Sequence, residues 1–243
     1  MTVVAVLGLG EAGGAIAADL RAAGAEVRGY DVLPERTEAE STARAVDGAD
    51  VVLSLTTAAS ATHAARSALA ALGAGAVYAD ANTGSVGLKR ELADLVGAGF
   101  ADVALMAPVP GRGLRTPALA SGTGAPGFAA AFAPLGMPVE VVGEEPGAAA
   151  RRKLLRSVAW KGFAAVVVEA LAAGRAAGAE EFVRAQLAEV LPGRDIERME
   201  HGSRAHARRR AHEMADVAGE LRALGVEPRM TEAARELLEA LDG

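Results

Sequence analysis

A chain of 243 residues is long enough for one large domain or two modest ones, each with its own core, and two is the expectation. A formal net charge of -6 offers no positive field to draw in phosphate backbones, which argues against a nucleic-acid partner and for soluble small-molecule chemistry. The lack of cysteine excludes disulfides, thiolate nucleophiles and cysteine metal sites, and fits a reducing, cytoplasmic setting.

The chain opens on the apolar run Val3-Val4-Ala5-Val6-Leu7, which predicts a strand. It leads at once into Gly8-Leu9-Gly10-Glu11-Ala12-Gly13 at the head of an alanine-rich helix over 12–23. Strand, Gly-x-Gly-x-x-Gly and helix in that order build a phosphate site. Gly8 permits the tight turn, Gly10 lets backbone approach a pyrophosphate, Gly13 lets helix and strand pack closely, and the helix start offers free amides. The glycines cut the apolar run and no basic residues precede it, so it does not read as a signal peptide. Gly24 stops the helix, a second strand covers Glu26–Tyr30, and Asp31 ends that strand. An acid roughly 20 residues past the glycines is placed to accept from a ribose 2′-hydroxyl and to repel a 2′-phosphate, so NAD is favoured, with NADP not excluded.

The alternation continues with a short helix near 35–45, a strand over 51–55, a helix over 59–72 and a strand over 76–79. A helix over Val86–Val96 and a strand over 101–106 follow, and late strands are expected near 119–122 and 139–142. Strands alternating with helices predict a doubly wound parallel sheet of the Rossmann-like α/β class. Thr56, Thr57, Asn82 and Thr83 fall at carboxyl ends of these strands, where ligands of such sheets bind. From 148 to about 177 the pattern is one helix of roughly 30 residues, about 45 Å long. Beyond it, 180–241 reads as helices broken at Pro192-Gly193 and Gly225-Val226-Glu227-Pro228, an all-α C-terminal domain joined by that long helix. The expected domains are 1–146, binding a dinucleotide, and 147–243, helical, for substrate and dimerisation. No run of 18 apolar residues lacks glycine or charge, so no membrane span is expected, and the histidines lack metal-site spacing, so no metal is expected either.

The glycine run, Tyr30-Asp31-Val32, Asp80-Ala81-Asn82-Thr83, Met106-Ala107-Pro108-Val109-Pro110-Gly111, Gly147 with Lys153, and Glu169-Ala170-Leu171 together resemble the β-hydroxyacid dehydrogenases, which include 3-hydroxyisobutyrate and 6-phosphogluconate dehydrogenases. The likeness covers nearly the whole chain. The segments 151–157 and 206–214 resemble, more closely, a branch whose C-terminal domain has no assigned function. The resemblance implies that Lys153 is the catalytic general acid/base, that Thr83 faces the nicotinamide side, and that the protein forms a homodimer through its helical domain. A lysine base must lose its proton, and burial or the cations Arg151, Arg152 and Arg156 would lower its pKa.

Three positions depart from the family pattern. Where an asparagine usually follows the lysine by four residues, this chain has Ser157; Lys153, Ser157 and Lys161 share one helix face, which either lines a pocket suited to an acidic substrate or ends at the domain surface. The usual Ser-Gly-Gly grip is Pro110-Gly111-Arg112, in which Pro110 supplies neither hydroxyl nor amide hydrogen and Arg112 either grips an anion or points to solvent. The usual lysine of the C-terminal pair is His212, followed by Glu213, in a basic stretch that either meets substrate, pairs with glutamates or is solvated. The expected activity is NAD(P)-dependent hydride transfer to or from a small, anionic 3-hydroxy acid. Imine reduction, and NAD binding without turnover, are the alternatives.

Overall fold

In the computed structural model, which describes residues 1–242, the chain divides into two compact units, Met1–Lys153 and Leu154–Gly243. The division falls inside the long helix rather than at the 146/147 loop. The physical reason is that the first helical amides are bonded to the sheet: Ala149 N–H donates to Ser121 Oγ at 3.0 Å and Ala150 N–H to Asp102 Oδ2 at 2.9 Å.

The first unit runs β1 (Val3–Leu7), α1 (Glu11–Ala22), β2 (Glu26–Tyr30), α2 (Thr42–Val46), β3 (Val51–Ser54), α3 (Ala58–Leu69), β4 (Val77–Asp80), α4 (Val86–Val96) and β5 (Phe100–Leu105). A 3-10 turn at Gly113–Arg115, β6 (Ala118–Ser121), α5 (Ala125–Phe132) and β7 (Val139–Val141) complete it. The sheet order is β2-β1-β3-β4-β5-β6-β7. Since β1 pairs in parallel with both β2 and β3, the carboxyl ends of β1 and β3 flank the point where the order reverses, which is where doubly wound sheets bind ligands. Not every pairing is parallel: β6 runs antiparallel to β5, because 106–117 forms a loop and a 3-10 turn instead of a crossover helix.

Helices cover both faces, which explains why β3 and β4 are buried at every position rather than alternating, and why β1 reads as an unbroken apolar run. Val4, Val6 and Leu53 pack on one side with Ile16 and Leu20 of α1 and Phe128 and Phe132 of α5. Ala5, Leu7 and Val52 pack on the other with Val46, Ala61, Ala65 and Leu92. The alanine richness of α1 and α3 is what allows this close layering. Two elements differ from expectation. The helix expected over 35–45 is reduced to α2, since Glu38 turns back to accept from Gly29 N–H at 3.1 Å and Ser41 caps α2 by accepting from Arg44 N–H at 3.2 Å. Helix α5, with a proline in its first turn, was not anticipated between the late strands.

The helical unit takes the rest of α6 (Ala148–Ala176), then α7 (Glu180–Val190), α8 (Ile196–Ala205), α9 (Ala207–Ala223) and α10 (Arg229–Ala240). The break between α8 and α9, at His206, has no glycine or proline to announce it. Val167, Leu171 and Ile196 form one core with Val183, Leu187 and Met199 around them. Buried Glu200 gathers Arg175 at 2.8 Å, Arg204 at 3.4 Å and Arg184 at 3.6 Å, and the hydrogen bond from Arg175 leads in holding its carboxyl below the usual range. Helix α6 has the length and mean hydropathy, 1.4 over its most apolar window, of a bilayer-crossing segment. Its Val167 and Leu171 are core residues of the helical unit and its Lys161 is ion-paired there, while Phe163 and Val166 lie exposed on the same helix.

Candidate active site

The glycine loop is shaped by contacts that admit only hydrogen at two positions. A Cβ on Gly8, whose φ is +93°, would lie 2.5 Å from the Leu55 carbonyl oxygen; one on Gly13 would lie 1.8 Å from that of Gly8. Gly10 is different, with only Arg36 Nη1, at 3.9 Å, near the place of its Cβ. Gly10 is also the N-cap of α1 and has no side chain to satisfy the amides of Glu11, Ala12 and Gly13, so the helix start is open to an anion. Asp31 does more than end β2. Its Oδ2 accepts from Leu9 N–H at 2.7 Å and its Oδ1 from Leu33 N–H at 2.9 Å, so the carboxylate clamps the loop it was expected to serve.

On the next strands, Thr56 and Thr57 leave β3 at the same sheet edge. Thr57 caps α3, accepting from Ser60 N–H at 3.2 Å and donating to Ser60 Oγ at 3.0 Å, so its hydroxyl holds the helix start. Asn82, just past β4, donates through Nδ2 to Ser54 Oγ at 3.1 Å and to Asp80, while its buried Oδ1 has no hydrogen-bond partner. A buried carbonyl oxygen left without a donor is expensive. At the edge where a dinucleotide would lie, it suits an amide or hydroxyl donor of such a ligand. The open amides at Gly10, the glycine cradle and this acceptor together fit a nicotinamide dinucleotide.

Thr83 and Lys153 meet. Lys153 Nζ donates to Thr83 Oγ1 at 2.9 Å, joining the exit of β4 to the second turn of α6. The substrate-side residues are not gathered in the same way. Gly111 and Arg112 are exposed on a loop whose Val109 carbonyl accepts from Arg112 N–H at 2.9 Å and Gly113 N–H at 2.8 Å. Asp19 of α1 fixes that loop, its Oδ2 accepting from Leu114 N–H at 2.9 Å. Ser157 follows Lys153 by one turn of α6 and is buried; in the helical unit Lys161 Nζ donates to Ser157 Oγ at 2.8 Å and pairs with Glu213 Oε2 at 2.6 Å. Within the helical unit, Glu213 thus balances the charge of Lys161. His212, the neighbour of Glu213, is exposed on α9.

Sequence reasoning missed a buried ionic triad in the first unit. Lys89 of α4 is buried and its ammonium reaches Asp80 Oδ2 at 2.5 Å, Asp102 Oδ1 at 3.3 Å and the carbonyl oxygens of Asp80 and Asn82, both at 2.9 Å. Burial pulls the Lys89 pKa down, but the two carboxylates outweigh it and leave it raised, so the ammonium stays charged. The signal in the sequence was an aspartate in each of two strands that are otherwise fully apolar, which demands a cation nearby. Arg36, in the loop after β2, was missed as well. Among the described residues no group of three metal-ligating side chains forms.

A glycine loop and a lysine–threonine pair on the carboxyl edge of a doubly wound sheet define a nicotinamide-dinucleotide-binding α/β protein. Residues 3–113 match the NAD binding domain of 6-phosphogluconate dehydrogenase, and residues 175–241 match DUF1932, a domain of unknown function. A conserved hypothetical protein from Sinorhizobium meliloti 1021 is 32% identical over 99% of this chain and 88% of its own, with a TM-score of 0.78. The conserved protein MTH1747, of unknown function and described as structurally similar to 3-hydroxyacid dehydrogenases, is 30% identical over 98% of this chain and 96% of its own, with a TM-score of 0.77. The 3-hydroxyisobutyrate dehydrogenase of Mycobacterium tuberculosis shares the fold, with a TM-score of 0.80, at 20% identity over 99% of this chain and 93% of its own. No functionally curated protein matches the chain. The chain belongs to the β-hydroxyacid dehydrogenase superfamily, in the branch that carries DUF1932 as its C-terminal domain.

Proposed function

We propose that the protein is an NAD(P)-dependent oxidoreductase that interconverts a small 3-hydroxy acid and its carbonyl form, with Lys153 as the general acid/base. The observation that carries this reading is the 2.9 Å hydrogen bond from Lys153 Nζ to Thr83 Oγ1, on the sheet edge that also bears the glycine loop. Bound nicotinamide would take or supply the hydride. In the oxidation, neutral Lys153 accepts the hydroxyl proton; in the reduction, its ammonium polarises the carbonyl oxygen and returns that proton. Thr83 orients the amine, and Asn82 Oδ1 offers an acceptor to the bound cofactor. Arg112 is the candidate anchor for a substrate carboxylate, by two-pronged hydrogen bonding. Ser157, Lys161 and His212 are carried as substrate-side candidates, with the Lys161 charge already balanced by Glu213.

Two residues pull cofactor choice in opposite directions. Asp31 disfavours a 2′-phosphate, whereas Arg36, 3.9 Å from the place of a Gly10 Cβ, brings a guanidinium to the same side of the loop. Thermal unfolding with NAD, NADH, NADP and NADPH, followed by hydroxy-acid turnover, tests the function. A higher Tm with a dinucleotide, together with oxidation of hydroxy acids, supports it; stabilisation with turnover of imines alone, or with no turnover, overturns it. Arg36→Ala is expected to weaken NADPH binding more than NADH binding, measured by nucleotide fluorescence.

The homodimer is also a proposal. The helical unit leaves Phe163, Val166 and Met230 exposed around an apolar recess lined by Val158, Ala234 and Leu237, a surface that a second copy would cover. Sedimentation velocity is expected to give twice the chain mass, and Phe163→Glu to return the monomer.

A further inference from the structure

The triad of Asp80, Lys89 and Asp102 links the two segments that carry the candidate catalytic pair. On one side, the Lys89 ammonium holds the exit of β4 through the carbonyl oxygens of Asp80 and Asn82, and Thr83 is the next residue along the chain. On the other, Asp102 Oδ1 is ion-paired with the Lys89 ammonium at 3.3 Å, while its Oδ2 takes Ala150 N–H at 2.9 Å and Ser121 Oγ–H at 3.1 Å. Ser121 Oγ in turn accepts from Ala149 N–H. The first amides of α6 are thereby capped by side chains from β5 and β6, and Lys153 leaves the helix one turn later. The circuit closes where Lys153 meets Thr83.

One ammonium and two carboxylates in a dry layer are a poor device for stability alone, since an apolar cluster of equal volume would serve as well or better. What such a cluster cannot do is fix direction. An ammonium that donates to three oxygens at the exit of β4, and a carboxylate oxygen that accepts from both Ser121 and an α6 amide, set the position of strand exit and helix start to within hydrogen-bond tolerance. We propose that Asp80, Lys89, Asp102 and Ser121 are positioning residues, which set Lys153 against Thr83 for proton transfer. They act through backbone and none of them touches substrate or cofactor. This inference rests on the assignment of Lys153 as the acid/base.

Ser121→Ala removes one cap and leaves the three charges paired; Asp102→Asn keeps an acceptor for Ala150 and removes the charge. Both variants are tested for dinucleotide Kd, for kcat and KM across pH, and for the pH-dependent reactivity of Lys153 toward acetic anhydride, mapped by peptide mass spectrometry. The expected result is a Kd within about twofold of the parent protein, a kcat lower by about 10- to 100-fold with KM little changed, and a displaced pH profile of Lys153 reactivity. Unchanged reactivity of Lys153 in a folded variant overturns the proposal, even if that variant is less stable. If Asp102→Asn does not fold, Ser121→Ala decides. Reactivity is read without substrate, so failure to find any turnover would count against the enzymatic reading while leaving the positioning test intact.

Discussion

Lys153→Ala is expected to lower kcat for hydroxy-acid oxidation by about 10²- to 10⁴-fold while leaving dinucleotide Kd unchanged, the usual worth of a positioned acid/base. Steady-state kinetics and nucleotide titration on the same preparation check both halves. The split follows from where the residue sits. Lys153 belongs to the second turn of α6 and bonds Thr83, whereas the α1 amides and the Asp31 clamp shape the phosphate end of the site. An equal loss of cofactor affinity would mean that the ammonium acts as a dinucleotide ligand instead. Thr83→Val, which keeps the shape and removes the hydroxyl, separates orientation of the amine from its presence and is expected to give a smaller loss.

Gly10→Ala and Gly13→Ala should part company, although the two glycines lie in one motif. At Gly13 the new methyl would stand 1.8 Å from the Gly8 carbonyl oxygen, which is backbone and cannot swing away. The loop must move, at a cost of about 1–3 kcal/mol, seen as a Tm lower by roughly 2–12 °C. At Gly10 the methyl meets nothing nearer than Arg36 Nη1 at 3.9 Å, so the unliganded Tm should not change. A pyrophosphate that needs to approach this backbone should nonetheless bind at least about tenfold more weakly. Calorimetric scanning and titration calorimetry distinguish the two. A Gly10→Ala protein with parental affinity would overturn the placement of the phosphates.

Much of the first unit is legible because period and punctuation agree there. The strand Glu26–Tyr30 and the helix Val86–Val96 match their expected bounds, since Gly24, Ser85 and Gly97 mark the ends with recognised chemistry. Where punctuation and structure diverge, expectation fails. The polar stretch 35–41 has helix-permitting composition but spends Glu38 on the β2 backbone, a tertiary contact that no local pattern encodes. The reversal of β6 is a matter of connection rather than propensity.

The site divides along the same line. The glycine loop is a local motif and is visible in the sequence; the roles of Lys153 and Thr83 come only through resemblance, and their contact across 70 positions comes only from the fold. Lys89 was invisible because Gly-Leu-Lys-Arg-Glu-Leu has the composition of a solvated helix, and only the neighbouring register of Asp80 and Asp102 across β4 and β5 shows that one of its cations must turn inward. For the stretch around Glu213 the sequence leaves substrate contact, ion pairing and solvation open, and only the fold of the helical unit brings Glu213 onto Lys161.

The two backbone amides held by Asp31 have an evolutionary consequence. A lineage that moves from NAD to NADP commonly must dispose of the acid at this strand end. Here that route removes the brace of the phosphate loop with the same substitution, because Leu9 and Leu33 both lose their acceptor. Descendants of this chain are therefore steered toward retaining the aspartate and recruiting cations around it, so that a change in cofactor preference is gained by addition rather than by replacement.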